Sequence, residues 1–98
     1  MEIQILHVPD CPNLALARAR LEEALERSGA APSLREMVVE TADEAHRAGM
    51  RGSPTILVDG RDPFDTSEGT SLSCRLYATP AGIDGAPSVD QLVAVVWS

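Results

Sequence analysis

An amphipathic stretch from Leu14 to Ser28, set between two short aliphatic runs, constrains this chain more than any other feature. Leu14, Ala17, Leu21, Ala24, Leu25 and Ser28 recur at helical spacing, while Arg18, Glu22, Glu23, Glu26 and Arg27 take the opposite side. Arg18 with Glu22 and Glu23 with Arg27 are i,i+4 ion pairs that support a helix. Pro12 suits the first turn, where a missing N–H costs nothing, and Gly29 suits the position just past the end. Residues 2–8 before the helix and Ser33 to Glu40 after it are rich in aliphatic and β-branched side chains, so both read as strands. A strand, a helix and a second strand in this order predict a βαβ unit, with the first strand covered on both faces.

The remainder continues the α/β alternation. Thr41-Ala42-Asp43-Glu44 has the form of a capping box and predicts a short helix to about Ala48, ended by Gly49. Ile56-Leu57-Val58 predicts a third strand, closed by the turn signal Asp59-Gly60. Residues 61–71 carry turn formers and one core candidate, Phe64, and read as a long hairpin loop into a fourth strand from Leu72 to Tyr77. After a Pro- and Gly-punctuated stretch, Ser88-Val89-Asp90-Gln91 forms a second capping box and opens a helix bearing Leu92, Val95 and Val96. Ninety-eight residues, 44% of them hydrophobic, fit a single domain over residues 1–98 with one core. Phe64, Tyr77 and Trp97 are the three aromatic residues, so the core is expected to be mostly Leu, Val, Ile and Ala, with Trp97 packed against the sheet or a partner chain.

Charge removes several function classes. A net charge of −7, with no basic cluster, repels phosphate backbones and anionic lipid, so neither nucleic acid nor a membrane is an expected partner. Every basic side chain is Arg, which excludes Schiff-base chemistry and a phosphate-binding Lys. No apolar run reaches about 18 residues and Met1-Glu2-Ile3-Gln4 lacks a basic n-region, so the expected location is cytoplasmic. Two cysteines in that setting are expected to be reduced and reactive, or buried. The two cysteines and two histidines lack the close spacing of a zinc site, and no cofactor or metal is expected. His7 falls late in the first strand and reads as a satisfied strand residue or a base within reach of the site; His46 falls on the polar face of the short helix.

Cys11 is the best candidate for chemistry, because Val8-Pro9-Asp10-Cys11-Pro12 hands a strand over to a helix, where unpaired N–H groups favour a thiolate. Its alternative role is a buried helix-capping thiol. Cys11-Pro12-Asn13-Leu14 at this junction and Gly52-Ser53-Pro54-Thr55 before the third strand resemble the thioredoxin-like family over nearly the whole chain. Gly52 to Phe64 and Ser73-Cys74-Arg75 are also similar to small, mostly uncharacterised bacterial members, some labelled alkylmercury-lyase-like. The resemblance implies a β-α-β-α-β-β-α fold with a four-stranded mixed sheet flanked by helices, and a cis bond before Pro54 facing Cys11. It further implies a backbone edge at Ser53, Pro54 and Thr55 that receives an extended substrate. The family's second redox cysteine is here Leu14, so exchange is expected to follow a monothiol or non-CxxC route, without a full glutathione-binding set.

Cys74, placed mid-strand two strands from Cys11, would lie about 10 Å away, beyond the ~7 Å span of a disulfide. It reads as a shielded apolar residue or, after loop motion, as a resolving thiol. Asp10 is a turn residue or a proton donor; Arg51 is an exposed residue or a charge favouring the thiolate. Three functions follow: thiol–disulfide exchange through Cys11 with a thiol or disulfide substrate, a protein included; soft-metal or organomercurial handling by Cys11 and Cys74 with Asp10 as proton source; and a non-catalytic interaction domain. A homodimer is compatible with each.

Overall fold

The computed structural model describes residues 1–64 and 69–96. The central strand is β1 (Glu2–His7), with β2 (Ser33–Val38) parallel on one side and β4 (Thr55–Val58) antiparallel on the other. The helix between the first two strands, α1 (Leu14–Ser28), buries Ala17, Leu21 and Ala24, the middle of the apolar stripe that the spacing predicts. Gly29 ends it in the left-handed region at φ 72°. Pro12 lies ahead of the helix rather than in its first turn, because Asn13 is the N-cap.

Side chains alternate across β1, and each face builds its own core. Ile3 and Ile5 join Ile56, Leu21, Ala24, Leu92 and Val96 beneath α1 and α3 (Val89–Val95). Leu6 joins Leu57, Val39, Met50 and Ala45, the last carried by α2 (Ala42–Ala48). The expected layering of helices over both faces of the first strand therefore holds. Thr41 caps α2 through its hydroxyl, which accepts from the Glu44 N–H at 3.1 Å. Ser88 and Gln91 complete a reciprocal capping box on α3, at 3.1 and 2.8 Å. Among the described residues, no helix is long and apolar enough to cross a membrane.

The structure departs from expectation after Val58. The main sheet has three strands rather than four, because the run from Leu72 to Tyr77 does not pair with β4. It divides at Arg75 and Leu76 into β5 (Ser71–Cys74) and β6 (Tyr77–Thr79). β5 runs parallel to the short β3 (Arg51–Ser53), and β6 forms a hairpin with β7 (Gly82–Asp84), which lies in the Pro- and Gly-punctuated stretch. The division has a local cause. Arg75 turns inward to meet Asp62, and Gly52, at φ 97°, lets strand β5 approach so closely that a Cβ there would lie 2.8 Å from the Arg75 Cβ. Trp97, expected to pack against the sheet, lies outside the described residues.

Candidate functional site

Two turns meet at one end of the sheet. The Leu6↔Thr55 register sets the end of β1 beside the start of β4, and the Val8 N–H donates to the Ser53 hydroxyl at 3.1 Å. Cys11, half-buried, follows three residues after Val8; the Ser53–Pro54 bond on the opposite turn is cis, as the resemblance implies. The Tyr77 hydroxyl, carried across by the start of β6, donates to the Pro54 carbonyl at 2.5 Å. Burial pushes Tyr77 well above the ordinary phenol range; Arg75 opposes the shift, while Asp62 and Cys11 add to it.

Behind Tyr77 lies a cluster that sequence reading did not find. The Arg75 guanidinium is only 6% exposed and pairs with Asp62, 9% exposed, at 2.6 Å, so the pair is screened little by water. The same guanidinium donates to the Phe64 carbonyl and stacks 4.5 Å from the Tyr77 ring centre. Phe64 meets Tyr77 edge to face at 5.8 Å. An Arg inside an otherwise apolar strand segment is the signal that could have revealed the cluster, since such a charge needs a buried partner.

Helix α1 begins three residues beyond Cys11; its first turn carries no acidic side chain and Asn13 makes no capping bond, while the exposed Asp10 carboxylate directly precedes the cysteine. Asn13 packs instead against Gly85, where a Cβ would lie 2.4 Å from the Asn13 amide carbon. Arg20 fixes the same segment to α1 by donating to the Ala86 and Pro87 carbonyls and to Asp84. Asp10 is exposed at φ 57°, the left-handed conformation that Asp tolerates in turns.

The other expected site residues separate into two groups. Ser53, Pro54 and Thr55 are buried, and much of their polar capacity is used internally. The Ser53 carbonyl accepts from the Arg75 N–H at 3.0 Å, and the Thr55 hydroxyl accepts from the Arg51 N–H at 3.0 Å. The edge expected to receive an extended substrate is therefore covered by β5 and Tyr77. Cys74, expected to be shielded within a strand, is exposed at the end of β5 opposite Ser53. It lines a 140 Å³ cavity with Arg51, Ser71 and Ser73, a cavity that Cys11 does not enter. Arg51 thus accompanies Cys74 rather than Cys11. His7 is buried with Nδ1 3.0 Å from the Val8 carbonyl, and His46 is exposed on α2. Among the described residues, no three His, Cys, Asp or Glu side chains converge as a metal site.

The chain matches no family model, no curated protein and no solved structure.

Proposed function

We propose that this is a thioredoxin-like protein that performs thiol–disulfide exchange through Cys11. The observation that carries the reading is the junction of the Cys11 and Pro54 turns through the Val8–Ser53 hydrogen bond, closed from inside by Tyr77. The parallel β1–α1–β2 unit with β4 antiparallel to β1 supports this reading, although β5 and β6 lie outside the main sheet rather than forming its fourth strand. The Cys11 thiolate attacks one sulfur of a substrate disulfide. A bond forms between Cys11 and that sulfur, the substrate disulfide breaks, and the second substrate sulfur leaves as a thiolate. An external thiolate then attacks the mixed disulfide and releases Cys11 reduced. The external route fits the separate surroundings of Cys74. Because Ser53, Pro54 and Thr55 are covered, substrate reaches Cys11 over the exposed Pro9, Asp10 and Pro12 of its own turn.

The test is the reaction of the Cys74→Ser protein with an aromatic disulfide, read by the thiolate it releases. Folded Cys11 should react about tenfold faster than in the denaturant-unfolded chain at the same pH, and added glutathione should regenerate it. Equal or slower reaction in the folded state refutes catalysis by Cys11.

A further inference from the structure

Strand β2 closes one side of the main sheet, and every one of its six residues is exposed. Leu34 is 50%, Met37 40% and Val38 46% exposed, a concentration of large apolar side chains unusual for a free strand edge. The Ser33 and Val39 N–H groups both bond inward, to the Met1 and His7 carbonyls. Alternation then directs the N–H and C=O groups of Leu34, Glu36 and Val38 outward. Their side chains lie on the α1 face, because they register with Ile3, Ile5 and His7. There Arg18 of α1 grips Glu36 through two nitrogen–oxygen contacts, at 2.7 and 2.8 Å. Next to this pair a 370 Å³ groove, lined by Ile5, Leu21 and Leu34, runs between α1 and β2.

We infer that β2 is a homodimer interface, pairing antiparallel with β2 of a second copy about a two-fold axis at Glu36. Such an axis, perpendicular to the sheet, keeps the α1 faces on one side, so facing residues must be both even or both odd in number. Centred on Glu36, the register sets Leu34 against the partner's Val38 and Arg35 against the aliphatic side chain of the partner's Met37. Leu34, Glu36 and Val38 each donate one N–H and accept one from the partner. The like charges at the axis are each compensated within their own copy, since every Glu36 carries its own Arg18 on two charge-assisted hydrogen bonds. Centred on Arg35 instead, two guanidinium groups would meet with only a 3.9 Å contact to Glu2 to balance each, and Val38 would have no partner. Charge therefore selects the first register, which joins two three-stranded sheets into one. The inference is independent of the Cys11 chemistry.

Sedimentation equilibrium of the full chain from about 10 µM to about 1 mM covers the range in which an interface of this modest size assembles. The mass should rise from 10.4 kDa toward twice that value. Leu34→Pro removes an N–H that the monomer does not use, so its circular dichroism should be unchanged and its self-association weakened at least about tenfold. Val38→Lys should weaken association similarly and carries the test if the proline variant does not fold. With Cys11 and Cys74 replaced by Ser, Glu36→Cys should cross-link on mild oxidation much faster than Arg35→Cys, since the axial Cα atoms would stand about 5.5 Å apart. A monomer throughout, association indifferent to both β2 variants, or faster cross-linking at position 35 would overturn the inference.

Discussion

Arg75 divides a strand, anchors a loop and supports the ring that closes the candidate site. Removing its guanidinium as Arg75→Ala leaves the Asp62 carboxylate buried without its cation, which should cost about 3–5 kcal/mol by denaturant unfolding. Tyr77→Phe deletes one buried hydrogen bond but keeps the ring, so about 1–2 kcal/mol is expected. If the loss at Arg75 is no larger than at Tyr77, the ion pair is not the anchor. The difference also explains what could be read in advance. Cys11 and Pro54 were recognisable because each is tied to a local element junction. The Asp62–Arg75–Tyr77 cluster joins residues whose pairing depends on how a loop folds back, and no spacing in the sequence encodes that.

Helices α1 and α3 were legible because periodicity and caps are local properties: the apolar stripe of α1 and the Ser88–Gln91 box appear where the residues direct. Strands β5, β6 and β7 were not, because a short strand-forming run at residues 72–77 does not reveal which neighbour it will pair with. Gly52 and Arg75 settled that through a tertiary contact. The segment at residues 84–87 is likewise held by tertiary groups, above all Arg20. The hydrogen bond from Arg20, assisted by the Gly85 N–H, holds the Asp84 carboxyl below the ordinary carboxylate range. A depressed folded-state pKa gives stability that is complete above the ordinary value of about 4 and lost as pH falls through the folded-state value. The melting temperature should therefore drop as pH falls below about 4. Arg20→Gln should start lower and show a shallower drop; an unchanged slope would exclude this ion pair as a source of acid sensitivity.

For the molecule as a whole, fifteen acids against eight bases repel one another in the compact state. Added salt shortens the Debye length from about 30 Å at 0.01 M to about 8 Å at 0.15 M, so the melting temperature at neutral pH should rise over that interval. A fall would mean that the surface ion pairs outweigh the general repulsion. Tyr77 carries a different consequence. It is the sole tyrosine, its hydroxyl is committed to Pro54, and burial keeps it neutral well above the pH of about 10 at which a free phenol ionises. Stability held by the neutral phenol is complete below that pH and declines as alkali is added, because only the unfolded chain readily releases the proton. The ultraviolet absorbance of phenolate should then appear together with loss of the far-ultraviolet signal, and not before it. The protein thus carries in its one phenol an optical indicator of its own opening, seated against the Pro54 turn whose integrity it reports.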